Sequence, residues 1–257
     1  MTHKKFTCLT LNTWQERGPW KVRWELIFQG IQELQPDVIA FQEVFNQEWA
    51  MSFKEKAGYP YLVMDDSHCG LVICSKFPFQ ETGSQILKRS PLEYYDRGVL
   101  WAKVDFQPSS FYVINTHLSW KPQDSKTRLD QAVEVANVIE NKTTGFDVLL
   151  MGDHNAEART EEMQYLIQEA ALEDVYDRIH PKSKALTWDN QNKFVREASE
   201  ALPDRRIDYI FKRKGNGLFG KIEDCQIVFT EPSKNGVWAS DHYGVVATFS
   251  VQNQVTQ

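Results

Sequence analysis

The feature that most constrains the fold of this chain is a series of short apolar runs with polar clusters at their ends. Five such clusters are Leu11-Asn12-Thr13-Trp14, Phe41-Gln42-Glu43-Val44, Asn115-Thr116-His117-Leu118, Met151-Gly152-Asp153-His154-Asn155 and Ser240-Asp241-His242. A sixth, Arg206-Ile207-Asp208-Tyr209-Ile210, places a carboxylate inside an apolar run, where burial is costly unless the group faces a cleft or a partner. Apolar runs of this length predict β-strands. Because polar groups gathered where strands end commonly form a site on a rigid sheet, the pattern predicts such a site.

Amphipathic helices alternate with the strand-like runs, and no linker separates them. The spacing of one helical face predicts a helix over Trp20–Leu34, with apolar members Val22, Leu26, Ile27, Ile31 and Leu34. Asn46 predicts the start of a second helix, and Asp124 or Ser125 the start of a third. Three stretches have an irregular pattern, namely Lys76–Gly98, Trp120–Lys126 and Pro181–Leu202. Strands outnumber helices and are often adjacent in sequence, which predicts a mixed α/β layered fold rather than a purely parallel sheet.

Composition and charge narrow the class of protein. The 257 residues are 42% apolar, which is ample for a sizeable core, and their formal net charge is −6. Dedicated nucleic-acid binders usually have a basic excess, so this balance argues against one without excluding a nucleic acid as substrate. Four cysteines without Cys-x-x-Cys spacing predict free thiols. Without a signal segment or a membrane-length apolar run, we expect a cytoplasmic protein with no membrane anchor.

The donor atoms in the polar clusters indicate the kind of metal that they suit. The clusters contain four carboxylates, two carboxamides and at least two histidines. Such oxygen-rich sets favour a hard cation, Mg²⁺ or Mn²⁺, which also binds substrate phosphate. Zinc sites have more histidine and cysteine ligands. The clusters therefore predict a magnesium or manganese site.

Taken together, the six clusters resemble the motifs of the endonuclease/exonuclease/phosphatase superfamily, which includes DNase I-like nucleases, neutral sphingomyelinases and inositol polyphosphate phosphatases. The motifs occur in the family's order and span nearly the whole chain. The resemblance implies a four-layer α/β/β/α sandwich of two mixed sheets, in one domain over residues 1–257. It also implies a divalent-metal phosphoesterase activity.

The resemblance also implies roles for individual residues. Glu43 is similar to the family's principal metal ligand, and Asn12 and Asp241 would lie close to the metal. Where the family usually has Gly-Asp-Phe-Asn, this chain has Gly-Asp-His-Asn. Because the central residue of that motif points away from its neighbours, His154 is expected to be packed rather than catalytic.

Five further residues are implied to act on the phosphate or the attacking water. Asp153 is similar to the residue that orients or deprotonates the water, and Asn155 and His117 to residues that contact phosphate oxygens. His242 is similar to the family's acid/base or transition-state-stabilising histidine, with Asp208 as its partner. Whether Asp153 or His242 removes the proton of the water stays open. For Asp208, an ion pair with an adjacent arginine is an alternative.

Three residues are candidates for substrate binding. Arg97 lies in a region that often contacts phosphate in the family, although a loop salt bridge with Asp96 is an alternative. Trp120 and Trp188 lie beside or near the predicted site and would stack a nucleobase or hold a quaternary ammonium group. The alternative is that these tryptophans pack the edges of the sandwich.

These observations lead to one principal hypothesis for function. We expect a monomeric Mg²⁺- or Mn²⁺-dependent phosphodiesterase or phosphatase that acts on a small or lipid-like phosphoester. A DNA or RNA nuclease with the same mechanism is the alternative, which the acidic net charge disfavours. A non-catalytic protein of the same fold would be expected to lack part of the metal and histidine set, which this chain retains.

Overall fold

The computed structural model describes residues 4–198, 200–215 and 217–251. The strands are β1 Lys4–Asn12, β2 Val38–Gln42, β3 Tyr61–Met64, β4 Val72–Ser75, β5 Phe79–Ile86, β6 Gly98–Phe106, β7 Ser109–His117, β8 Asp147–Asp153, β9 Leu172–Asp174, β10 Asp208–Arg213, β11 Lys221–Val228 and β12 Gly244–Val251. The helices are α1 Trp20–Leu34, α2 Gln47–Ala57, α3 Ser125–Lys142, α4 Glu161–Glu169, α5 Val175–Ile179 and α6 Lys193–Arg196. The predicted domain over residues 1–257 therefore includes terminal residues that lie outside the described ranges.

The strands form two mixed sheets of six strands each. The first sheet has the order β11-β12-β1-β2-β4-β3, and the second has the order β5-β6-β7-β8-β10-β9. Each sheet contains one parallel pair near its centre, β1 with β2 and β7 with β8. The other neighbouring strands are antiparallel.

Alternation of side chains along the strands divides the apolar residues into three layers. Cys8, Val38 and Ala40 join residues of the second sheet in a core between the two sheets. Their neighbours Leu9 and Ile39 point to the other face and pack with residues of α1 and α2. The outer face of the second sheet packs in the same way against α3 and α4. Because successive strand residues face opposite sides, the result is the α/β/β/α sandwich, which confirms the predicted fold class.

Most of the predicted elements occur close to their expected bounds. Helix α1 spans Trp20–Leu34, and the Asn46 side chain caps α2 by accepting a hydrogen bond from the backbone N–H of Trp49 at 2.9 Å. The expectation of an irregular segment over Lys76–Gly98 was wrong, because β5 lies within it. This strand forms a sheet edge and has a polar, largely exposed sequence, so the apolar pattern of a strand is absent.

At two further places the structure differs from what the sequence pattern indicates. Val22 was expected on the buried face of α1, but its side chain is 49% exposed and Arg23 is buried instead. Gly215, Gly220 and Lys221 have the glycine and lysine spacing of a phosphate-binding loop, but Ile222 stands where that loop has Ser or Thr. The glycines lie between β10 and β11, and Lys221 begins strand β11 rather than a helix whose N-terminus would bind phosphate, so the spacing carries no such function. No helix in the described part of the chain is long and apolar enough to cross a membrane.

Candidate active site

The strand registers bring the polar clusters to one edge of the sandwich. His117 at the end of β7 is the pairing partner of Asp153 at the end of β8, and Asp153 in turn pairs with Asp208 on β10. In the facing sheet, Asn12 at the end of β1 pairs with Gln42 at the end of β2. Across the sheets, Asn12 Nδ2 donates to Asp153 Oδ2 at 2.9 Å. Residues from five parts of the sequence thus meet at this edge.

The backbone is strained where two of these residues leave their strands. Glu43 has φ 62° and Asn155 has φ 51°, a left-handed conformation that non-glycine residues rarely adopt. Gly152 has φ 145°, and a Cβ atom there would lie 2.0 Å from the carbonyl oxygen of Thr116. Glycine is therefore required before Asp153. Such strain often accompanies functional sites.

Asp153 lies at the centre of the hydrogen-bond network. Its Oδ2 atom accepts from Asn12 and lies 3.3 Å from His117 Nε2 and 3.7 Å from His242 Nε2. Its Oδ1 atom accepts from the backbone N–H of Asn155 at 2.9 Å, while the Asn155 side chain donates to the carbonyl of Leu118 at 3.0 Å. Burial would raise the pKa of Asp153, but charge on the two imidazoles and the hydrogen bonds hold it well below its ordinary value. Asp153 is therefore ionised.

His242 and Asp208 form a buried pair beside Asp153. His242 Nδ1 lies 2.9 Å from Asp208 Oδ2, and the Asp208 side chain is fully buried. Burial would lower the pKa of His242, but the carboxylates of Asp208 and Asp153 outweigh it and raise that pKa to about 10. The alternative partner Arg206 instead pairs with Asp174 at 2.6 Å. Asp208 thus holds the imidazole as a cation.

The oxygen donors Asn12, Glu43 and Asp241 line the cleft beside this pair. Asn12 Nδ2 lies 3.4 Å from Glu43 Oε1, and burial together with the charge of Glu43 raises the pKa of Asp241 to about 7, against the opposing charge of His242. Two carboxylates that repel each other at a largely buried place fit a hard divalent cation. The Asn12 side chain lies beside them with its Nδ2 atom towards Glu43, while its Oδ1 atom accepts from the backbone N–H of Trp14 at 3.0 Å. The ligand atoms of Asp153, Asp208 and His242 also lie within 4.8 Å of one another, but these groups are already hydrogen-bonded within the network.

The three predicted substrate residues lie around the same cleft. Arg97 Nη1 is 2.8 Å from His117 Nε2, and its guanidinium pairs with Glu93 at 2.7 Å; Asp96 pairs with Arg89 instead. Trp188 contacts the His242 ring edge-to-face, with 5.1 Å between the ring centroids. Trp120 is partly buried, and the Lys121 ammonium lies 4.0 Å from its ring centroid. All three line a cleft of about 650 Å³.

Two buried residues that support this cleft were missed from the sequence. Glu93 accepts from Arg97 and from the backbone N–H of Trp120 at 2.6 Å, so one carboxylate joins two walls of the cleft. Arg23 is fully buried and donates to five backbone carbonyls, four of them in residues 13–17 after Asn12. Glu93 lies in the stretch Lys76–Gly98, whose sequence gave no signal for a buried carboxylate. The four-residue spacing of Arg23 from Ile27 and Ile31 was the available signal for Arg23.

His154 packs away from the cleft, as predicted. Its ring is fully buried and lies edge-to-face against Tyr209 and Phe211, with centroid distances of 5.5 Å to each. Nδ1 lies 3.1 Å from the carbonyl oxygen of Gly152, and Nε2 has no hydrogen-bond partner among the described residues. Burial lowers the pKa of this histidine to about 4, so it is neutral in the folded protein near pH 7.

Comparison with known proteins shows the family of this chain. Residues 9–242 match the model of the Endonuclease/Exonuclease/phosphatase family. The chain is 21% identical to a putative neutral sphingomyelinase of Caenorhabditis elegans, over 98% of this chain and 68% of that protein. It is 26% identical to tyrosyl-DNA phosphodiesterase 2 of Danio rerio, over 84% of this chain and 58% of that protein.

The fold is also shared with solved structures. A variant of the Staphylococcus aureus beta toxin with bound magnesium ions superposes with a TM-score of 0.72 at 20% identity, covering 96% of this chain and 100% of the toxin. The family match spans every predicted site residue from Asn12 to His242, and its position agrees with the strand-end clusters. The chain belongs to the endonuclease/exonuclease/phosphatase family.

Proposed function

We propose that this chain hydrolyses a small or lipid-like phosphoester by metal-assisted attack of water in the cleft. Phosphoester hydrolysis follows from the family, whereas the substrate and the roles of individual residues are the proposal. One observation carries it: the buried pair Asp208–His242 lies beside the ionised Asp153, in a cleft lined by the oxygen donors Glu43 and Asp241.

Mg²⁺ or Mn²⁺ would be held by Glu43 and Asp241, with the Asn12 side chain beside them. When bound, the metal supplies a Lewis acid that polarises a phosphoryl oxygen and stabilises the charge that develops on it. The donor set supports this assignment because it contains oxygen atoms, which hard cations prefer. The magnesium-bound toxin structure of the same fold supports metal dependence. The choice between Mg²⁺ and Mn²⁺ is part of the test below.

The geometry supports a division of labour between Asp153 and His242. Asp153 is ionised and accepts hydrogen bonds from Asn12 and Asn155, so it is suited to orient a water molecule by accepting a hydrogen bond from it. His242 is held as a cation by Asp208, so it is suited to stabilise the phosphoryl charge and to donate a proton to the leaving oxygen. Asp208 positions the ring and fixes its tautomer.

His117, Asn155 and Arg97 are assigned to the phosphate. His117 and Asn155 flank Asp153 in the network, and Arg97 lies against His117 at 2.8 Å. Hydrogen bonds from such groups are strong where the acceptor is charged. Arg97 is paired with Glu93, which neutralises part of its charge, so it would contact a phosphate oxygen as part of this ion pair.

The acidic net charge of the chain favours a small or lipid-like substrate over a nucleic acid. Of the four arginine and lysine residues that line the cleft, Arg97 is paired with Glu93 and Lys121 with Glu200, whereas Arg17 and Arg205 form no salt bridge with the described residues. A nucleic-acid backbone needs unpaired positive charge along its path. The nuclease alternative is supported by the aromatic rings of Trp120 and Trp188, which are suited to stack bases, and by the relative that is named a tyrosyl-DNA phosphodiesterase.

We also propose a cytoplasmic location and a monomeric state. All four cysteines are free and buried, which suits a reducing compartment. Size-exclusion chromatography with light scattering tests the monomer.

The function is tested with a substrate panel that contains aryl phosphomonoesters and phosphodiesters, sphingomyelin, plasmid DNA and RNA, each with Mg²⁺, Mn²⁺ or EDTA. We expect turnover of the small or lipid-like esters that EDTA abolishes. Glu43→Gln and His242→Ala should each lower turnover by about 100-fold or more. Glu173→Gln is the matched control, because its carboxylate pairs with Lys212 on β10, away from the cleft. Activity that survives EDTA and both substitutions would refute the mechanism, and turnover of DNA or RNA alone would favour the nuclease.

A further inference from the structure

A second cavity of about 330 Å³ adjoins the cleft on the side of Glu43. Its size lies at the lower end of the range for small-molecule sites. Glu43 lines both the cavity and the cleft, and so do Phe45 and Tyr95. The position where the phosphate would react therefore has space on two sides, one towards Trp120 and Trp188 and one towards this side cavity.

The walls of the side cavity are aromatic and are held in place by specific contacts. Trp24 and Trp49 pack against each other with 3.4 Å between ring centroids, and Phe45 stacks on Tyr95 at 5.2 Å. Gly70 permits the position of Phe45, because a Cβ atom at Gly70 would lie 2.9 Å from that ring. The cavity is thus lined by aromatic rings that pack in pairs.

Polar contacts fix the remaining wall. Buried Arg23 donates to the carbonyls of Trp14 and Gln15 at 3.1 and 2.8 Å, and the side chain of Asn46 donates to Glu16 at 2.9 Å. The carboxylate of Glu16 is therefore already engaged by an amide. What remains for a ligand is the surface of the aromatic rings together with the side chain of Arg17, which also lines the cavity. The rings suit an apolar group.

We propose that the side cavity binds an apolar, ring-sized substituent of the substrate, and that the substrate is therefore a phosphodiester. A phosphomonoester has one organic substituent and would leave one of the two spaces unfilled, whereas a diester has one for each. Hydrolysis would break the P–O bond to one substituent and form a P–O bond to the water oxygen, and the water proton would pass to the leaving oxygen. This inference rests on the proposed phosphoesterase function and specifies its substrate.

The test compares three substrates that share one leaving group: phenyl p-nitrophenyl phosphate, methyl p-nitrophenyl phosphate and p-nitrophenyl phosphate, each with Mg²⁺. The wild-type chain should have a higher kcat/KM for the phenyl diester than for the methyl diester. Phe45→Ala and Tyr95→Ala each remove one ring of the stacked pair, so each should lower the phenyl-to-methyl ratio by about three- to tenfold, mainly through KM. Tyr61→Ala is the matched control, because Tyr61 is 37% exposed, like Phe45, and lies on β3 outside both cavities.

The outcomes separate this inference from the proposed function. If the wild-type chain turns over none of the three esters in a metal-dependent way, the proposed function fails. If it turns over all three, but the phenyl-to-methyl ratio is the same in wild type and in both ring variants, the side cavity binds no substituent and the inference is overturned. Preference for the monoester over both diesters would overturn it as well. Thermal unfolding of each variant verifies that it is folded, and Phe45→Leu, which keeps apolar bulk, should retain part of the ratio.

Discussion

Replacement of His154 by phenylalanine tests whether a buried neutral histidine limits the stability of this fold in acid. His154 lies between Tyr209 and Phe211, and its Nε2 atom has no hydrogen-bond partner among the described residues. A phenylalanine ring would have nearly the same shape and make the same edge-to-face contacts. It would lose the hydrogen bond of Nδ1 to the Gly152 carbonyl, and it would also remove the unpaired nitrogen.

The size of the effect follows from the pKa of His154. Burial lowers that pKa from an ordinary value of 6.5 to about 4, so the unfolded chain binds a proton on this imidazole at a pH where the folded chain does not. Stability is therefore lost as the pH falls from about 6.5 to about 4, by a total of about 3 kcal/mol, of which about 2 kcal/mol is lost by pH 5. Phenylalanine does not titrate, so the variant should lack this loss.

Urea unfolding of both proteins at pH 8 and pH 5 measures the difference. The free energy of unfolding of the wild-type chain should fall between these pH values by about 2 kcal/mol more than that of His154→Phe. At pH 8 the two stabilities should agree within about 1 kcal/mol. Turnover at pH 8 should be retained, because the ring is not in the cleft. Equal pH dependence in the two proteins would refute the reasoning.

Three further variants test the network. Asp208→Asn should lower turnover by about 100- to 10,000-fold, because His242 loses the carboxylate that holds it as a cation. The melting temperature should change little, and turnover within threefold of wild type would contradict this role. Glu93→Gln should raise KM by about tenfold with a smaller effect on kcat, because Arg97 and the backbone N–H of Trp120 lose the carboxylate that accepts from both. A change in kcat alone would contradict this role of Glu93. Arg23→Met should lower the free energy of unfolding by about 3–5 kcal/mol, since five carbonyls lose the donor that a buried guanidinium provides. A loss below about 1 kcal/mol in urea unfolding would show that water replaces the guanidinium.

The fold could be predicted to a large extent because its signals are local. The apolar spacing of Trp20–Leu34 gave the bounds of α1, and the buried runs before Asn12, Glu43 and Asp153 became strands that end at one edge. Side-chain alternation along a strand is a property of the backbone, so the three apolar layers follow from the sequence pattern. The edge strand β5 was missed because its residues are mostly exposed, and exposure removes the apolar alternation on which the prediction depends.

What could not be predicted depends on contacts between distant segments. On α1, Val22 and Arg23 are neighbours, and apolarity alone selects Val22 for the buried face. Arg23 is buried instead because the carbonyls of residues 13–17 accept its hydrogen bonds, and their position is set by the tertiary structure. In the same way, the side cavity depends on the stacking of Phe45 with Tyr95, which are 50 residues apart in the sequence.

The most direct test of the account is the metal dependence of phosphodiester turnover in the wild-type chain and in Glu43→Gln. Bis(p-nitrophenyl) phosphate serves as the substrate, first with EDTA and then with increasing Mg²⁺ after the chelator is removed. We expect turnover of the wild-type chain to fall to background in EDTA and to return with Mg²⁺, while Glu43→Gln stays about 100-fold lower at the same Mg²⁺ concentration. Undiminished wild-type turnover in EDTA, or a Glu43→Gln variant that responds to Mg²⁺ like the wild type, would contradict a catalytic metal held by Glu43.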